Sequence, residues 1–334
     1  MQTGNDISAA LRPLDLAAPA LFTAFLKDTA AFALEDGNVA FSTSGDTRSV
    51  AAHPDAGILV AAAEKDAVLT GGDDGRVVRT RTDGTTELLG ETGGSWIDAL
   101  SSGPDGAVAW SSGKKVSVRD RSGALFTTEV PSSGRGLAFV PKGFQLAISH
   151  YNGVSLWFPR TATPPRQLSW KGSHIDITVA PDARFVVTTM QENALHGWRV
   201  ADGANMRMSG YPSKTRSLAW SPDGKWLATS GADAAIVWPF VTKDGPMGKP
   251  PLELGVRRSR VERVAFHPKA PVVAVGYADG CILLIETGSG QELLARRENA
   301  DSGAIAALAW DGAGMKLAFA TRGGAAGVVE LPKV

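Results

Sequence analysis

Residues 27–41, KDTAAFALEDGNVAF, and residues 65–79, KDAVLTGGDDGRVVR, align at a constant offset of 38. Each reads as an apolar strand, an Asp-Gly turn (Asp36-Gly37, Asp74-Gly75) and a second strand, the strongest short-range signal for a β-hairpin. The unit recurs as QLAISHYNGVSLWF (145–158), RFVVTTMQENALHGWRV (184–200), KWLATSGADAAIVWPF (225–240) and VVAVGYADGCILLIE (272–286). Weaker copies begin at Ala107 and Lys316. The hairpin turns fall near positions 36, 74, 114, 152, 193, 233, 279 and 324, a spacing of 38 to 46 residues. A period of this length carrying four short strands describes a propeller blade rather than a helical solenoid.

A second landmark stands upstream of the hairpins: LAWSPDG (218–224), TVAPDA (178–183), LSSGPDG (100–106), LAFVPKG (137–143) and VAFHPKA (264–270). Proline at the first corner, followed by Asp, Lys or Gly, suits a tight turn that joins an apolar inner strand to the next one. Together the two landmarks predict an all-β, single β-propeller of four-stranded antiparallel blades. Eight hairpins predict eight blades, with residues 7–14 supplying the outer strand of the last blade and so closing the ring without an exposed edge. A seven-blade alternative uses His53-Pro54-Asp55-Ala56 as an inner turn and leaves the 27–41 hairpin without a place. Residues 241–254, VTKDGPMGKPPLEL, are expected to form an extended loop.

This pattern resembles the WD40-repeat family of β-propellers over nearly the whole chain, most closely in residues 221–238. The resemblance implies a set of four side chains within a blade, and His53, Thr70 and Asp74 match three of them. Thr80 stands where the family's Trp belongs. Trp157, Trp198 and Trp238 match the Trp position in other blades, each without the full set. Asp36, Asn152, Asp233 and Asp279 occupy the hairpin turn, where a short polar side chain bonds its own backbone. For function the resemblance implies a scaffold for protein complexes.

Composition narrows the alternatives. The chain has 334 residues with 34 Lys and Arg against 34 Asp and Glu, so its neutrality argues against general capture of nucleic acid or anionic membrane. The 43% apolar content excludes a disordered chain. The single cysteine, Cys281, forms no intramolecular disulfide or metal motif and fits a reducing compartment. The apolar stretch 16–26 is too short to span a bilayer and lacks a positively charged head, which gives the expectation of a cytoplasmic protein, monomeric by itself. The five histidines show no metal-ligand spacing, no GxSxG is present, and the Gly-rich 70–75 stretch joins two strands rather than opening a helix. No cofactor, metal or catalytic residue is therefore expected.

Two features remain for binding. Arg257, Arg258, Arg260 and Arg263 fall within seven residues, interrupted by Glu262, where the chain enters the seventh predicted blade. Arg257, Arg258 and Arg260 are expected at a loop rim that anchors an acidic peptide or a phosphate. Of nine tryptophans, Trp96, Trp220 and Trp310 fall on predicted inner strands, whereas Trp170 lies in a connecting stretch and is expected to be the exposed one. The leading expectation is a non-catalytic scaffold for a protein or peptide partner. The alternatives are a propeller enzyme acting on a small molecule and a nucleic-acid-binding module using residues 257–263.

Overall fold

The computed structural model describes residues 5–44, 46–141 and 143–332; Lys142 of the Pro141 turn lies outside them. Apart from three 3-10 turns, every regular element among these residues is a β-strand, and the sheets are built of antiparallel pairs such as Leu11–Leu14 with Ala326–Glu330. No helix among them is long and apolar enough to cross a membrane. The hairpins form where the repeat places them. Gly37, Gly75 and Gly280 carry the positive φ of 90°, 76° and 80° that an L side chain avoids. The preceding Asp36, Asp74 and Asp279 each accept the amide two residues on, at 3.1, 2.9 and 3.0 Å.

The chain divides into two compact units, Met1–Val50 with Thr215–Val334, and Ala51–Lys214. The first holds sheets built from 20–51, 218–254 and 261–296, and one that combines Ile305–Trp310, Lys316–Thr321 and Ala326–Glu330 with Leu11–Leu14. Leu11 pairs with Val329 and Leu14 with Ala326, so a strand from the start of the chain completes the sheet formed by its end. Only Leu11–Leu14 of the expected 7–14 strand is extended, because Ser8–Ala10 forms a 3-10 turn. The expected 241–254 loop likewise ends early: Leu252–Leu254 is a strand, with Leu254 opposite Ala235. Phe32, Leu34, Ala318 and Val328 fill the space between adjacent sheets of this unit.

The second unit holds four-stranded sheets from 58–91 and 99–129, then a six-stranded sheet from 136 to 208. The described residues thus form seven hydrogen-bonded sheets, the number of the alternative, and eight separate sheets are not formed. The cause lies in Arg166–Val179, which pairs through 166–173 with Leu146–Trp157 and through 174–179 with Phe185–Met190, and so joins two repeats in one sheet. The 27–41 hairpin nevertheless has its own sheet, contrary to the seven-blade premise. Within the six-stranded sheet, His150 Nε2 lies 2.9 Å from Ser155 Oγ. Five extended residues would separate them by roughly 16 Å, so the chain reverses between them. Asn152 and Gly153, at φ 70° and 145°, make that reversal. One sheet therefore carries both the Asn152 and the Asn193 hairpins.

Small residues set the spacing between sheets. A Cβ on Gly71 would lie 2.5 Å from the Ile97 side chain, and one on Gly90 would lie 2.5 Å from the Trp110 ring. Ile97 and Trp110 are buried in these approaches beside Leu69 and Val77. Burial of a side chain such as Ile97 stabilises the fold by about 2–3 kcal/mol.

Candidate functional site

His53, Thr70 and Asp74 come together at one end of the 58–91 sheet. His53 Nδ1 sits 3.0 Å from an Asp74 carboxylate oxygen, and Nε2 sits 2.9 Å from Thr70 Oγ1. The connectivity is that of a nucleophile relay, but Thr70 is 0% exposed and no substrate can reach its oxygen. The set bonds loop to sheet instead. Gly72 makes room for it, since a Cβ there would lie 2.5 Å from both His53 Nδ1 and Asp74 Oδ1. Thr80 is buried in the place of the Trp, with its hydroxyl unbonded.

The other turn and Trp positions differ in their bonding. Asn152 Oδ1 accepts the Gly172 amide at 3.2 Å, and the Asp233 carbonyl accepts the Arg257 amide at 3.0 Å. Trp157 and Trp198 are buried, and Trp238 is partly so. In the 174–208 segment, His174 lies 2.7 Å from Thr188 Oγ1 through Nδ1 and 3.0 Å from the Trp170 carbonyl through Nε2. Burial lowers the pKa of His174. His196 is fully buried with both ring nitrogens unbonded, and desolvation, helped by His174 and Arg207, pushes its pKa down to about 3.

Trp170 is not the exposed tryptophan. It is partly buried and stacks on His196 with ring centroids 4.0 Å apart. Trp96 is instead 64% exposed, because the inner strand begins only at Ala99 and Ile97 takes the buried position. Tyr151, in the Asn152 hairpin, is 53% exposed. The sequence signal for Trp96 was the Gly93-Gly94-Ser95 run before it, which belongs to a loop and not to a strand.

The arginine cluster is only partly turned outward. Arg260 Nε donates to Glu262 at 2.8 Å, and Arg322 pairs with the same carboxylate at 3.4 Å. Glu262 is 2% exposed, so these two cations neutralise a buried charge. Arg263 donates to the carbonyls of Ala306 and Glu262 at 2.6 and 2.9 Å. Arg260 is thus no free anchor, and residues 257–263 present no continuous cationic stripe.

Arg257 and Arg258 remain. With Ser259 and Asp279 they line a cavity of about 430 Å³. The Arg257 guanidinium lies over the Tyr277 ring at 5.4 Å, and its closest carboxylates, Glu298 and Asp279, stand at 3.6 and 3.7 Å. Its buried Nε has no bonding partner. Arg258 is exposed and makes no ion pair or hydrogen bond among the described residues. Cys281, in the same hairpin, is buried, and desolvation raises its thiol to about 11, well above the reactive range. No group of three or more His, Cys, Asp or Glu able to hold a metal occurs among the described residues.

Comparison with known proteins agrees with this architecture. The family model "WD domain, G-beta repeat" matches residues 205–238. WD repeat-containing protein 1-B of Xenopus laevis is 29% identical over 120 residues, covering 35% of this chain and 19% of that relative's length. Among solved structures, the computationally designed Ika8 protein superposes on 96% of this chain and 98% of its own, with a TM-score of 0.79 at 19% identity. The C-terminal WD40 domain of Sif2 covers 97% of this chain and 99% of its own, with a TM-score of 0.78 at 14% identity. These superpositions show the fold: an all-β propeller of four-stranded antiparallel blades.

Proposed function

Since the chain belongs to the WD40-repeat β-propeller family, we propose that it is a non-catalytic scaffold that docks a protein or peptide partner on the loop end of its blades. The Arg257–Arg258 mouth carries this reading. It offers one guanidinium over the Tyr277 ring and a second with no partner, at the edge of an open cavity. Such a pair suits a carboxylate side chain, which two parallel N–H donors bind bidentately. The residues with the chemistry for catalysis are spent on structure: His53, Thr70 and Asp74 bond one another, and Arg260 covers Glu262.

The test is affinity capture from native lysate with the tagged protein and an Arg258→Glu variant, identified by mass spectrometry, with a nuclease-treated arm. Arg260 is left intact because its loss would leave Glu262 buried beside a single cation. The expected result is a protein captured by wild type and reduced at least tenfold with the variant, in both arms. Equal capture by the two forms would overturn the Arg258 mouth, and loss of the catch with nuclease would overturn a protein partner.

A further inference from the structure

A second surface, in the 51–214 unit, is built from different residues. The loop 92–98 leads from the strand Thr86–Glu91 to the strand Ala99–Ser102. It is pinned at both ends. The Thr92 amide and hydroxyl both donate to the Gly75 carbonyl, at 3.0 and 3.1 Å, and the Ile97 amide donates to Gly72 at 3.2 Å. Ile97 is fully buried against Gly71, which fixes the direction of its neighbour. Trp96 therefore projects into solvent from a rigid base.

Hydrogen bonds connect this loop to the next two. Asp98 accepts the Gly113 amide at 2.7 Å through one oxygen and meets Arg135 Nη1 at 3.4 Å through the other. The Gly134 amide donates to Gly113, and the Arg135 amide to Ser149, both at 2.9 Å. Two residues further on, the Tyr151 amide donates to Ser132 Oγ at 2.8 Å. Trp96, Arg135 and Tyr151 thus crown one bonded run of three loops. Nothing lies within 4 Å of where a Cβ would stand on Gly93, Gly94 or Gly113, so a ligand backbone has open access beside the aromatic rings.

The charge at this rim has a sign. Arg135 is half exposed and holds Asp98 by one long contact, leaving most of its five donors unused. Lys114 is exposed in the turn beside Gly113. Asp98 has already committed one oxygen to a backbone amide, and Glu129 lies opposite Lys115 in the strand register. Two aromatic faces beside a net positive rim, all on pinned loops, form the composition of an interface hot spot with little ordering cost on binding.

We propose that Trp96, Arg135 and Tyr151 form a second docking surface, which takes a linear peptide segment of a partner protein carrying a carboxylate next to apolar side chains. Arg135 and Lys114 take the carboxylate, and the rings of Trp96 and Tyr151 cover the apolar flanks. The surface is independent of the Arg257–Arg258 mouth, which lies in the other unit. Each can fail without the other.

The test uses two fluorescein-labelled peptide pools and fluorescence anisotropy on the full chain. One pool has the pattern Gly-Ser-Φ-Asp-Φ-Asp-Φ-Ser-Gly, with Φ drawn from Leu, Pro and Phe; the other has Lys in place of Asp. The wild type is expected to bind the acidic pool at least tenfold more tightly than the basic pool. Trp96→Ala and Arg135→Glu are expected each to weaken that binding at least tenfold, whereas Arg258→Glu leaves it unchanged. All three side chains are exposed, and unchanged melting curves certify the fold. Equal binding of both pools, binding of neither, or insensitivity to Trp96→Ala and Arg135→Glu would overturn the proposal. Loss on Arg258→Glu alone would move the acidic peptide to the other mouth and overturn it equally.

Discussion

His53 and His174 both bond a threonine of the second strand, Thr70 in one sheet and Thr188 in the other, yet their second nitrogens meet different partners. His53 turns to the Asp74 carboxylate, whereas His174 turns to the Trp170 carbonyl. The first arrangement ties a charged turn residue to the sheet. The second draws Trp170 inward over His196, next to Trp198 at 4.6 Å, and leaves both His196 ring nitrogens without a hydrogen bond. One repeat frame thus tolerates either a polar lock or an aromatic one. The aromatic version carries a buried base that burial keeps neutral until the pH falls to about 3.

The sharpest break of this comparison is Asp74→Ala. It leaves the buried His53 ring without its partner and is expected to cost about 2–3 kcal/mol, read from the urea midpoint at constant m-value. A loss below about 0.5 kcal/mol would mean that the carboxylate adds no more than a surface pair and that the two locks are equivalent.

Next in size is the acid response of the aromatic lock. His196 binds a proton near pH 6.5 when unfolded but only near pH 3 when folded. Its contribution to stability is therefore complete above about pH 6.5 and falls as pH drops toward 3, with a slope of up to about 1.4 kcal/mol per unit. His196→Leu is expected to flatten the stability curve between pH 6.5 and 4, gaining up to about 2 kcal/mol relative to wild type at pH 5. Parallel curves for the two proteins would show that His196 is not the titrating group.

The smallest effect concerns Thr80, which replaces the Trp in the polar lock. Its hydroxyl is buried without a partner, so Thr80→Val is expected to raise stability by about 0.5–1 kcal/mol in thermal unfolding. Destabilisation would show that the hydroxyl is bonded in solution and that the polar lock has a fourth member after all.

The legible part of this molecule is local. Asp-Gly turns and Pro corners announce their geometry within four residues, and the hairpins at 36, 74 and 279 follow the sequence closely. What escaped the sequence depends on partners far along the chain. Trp96 and Trp170 exchanged their expected places because Ile97 finds its slot beside Gly71, and because His196, 26 residues beyond Trp170, offers a ring to stack on. The arginine cluster looked uniform as a string. Its division into inward and outward members depends on Glu262 being buried and on Arg322 reaching it from 60 residues away. The merging of two repeats into one sheet has the same origin, since 166–179 changes partner between Ser173 and His174 and both partners lie elsewhere in the sequence.

The pairing of Leu11–Leu14 with Ala326–Glu330 also has a consequence in time. A ribosome delivers about 5–20 residues per second, so Leu11 waits roughly 15–60 seconds before Val329 is made. The Ala51–Lys214 unit is complete long before then, while the other unit needs both ends of the chain. The older strand therefore receives one made much later. A nascent chain stalled before residue 326 would hold an unclosed sheet edge, the state in which such a protein most needs a chaperone.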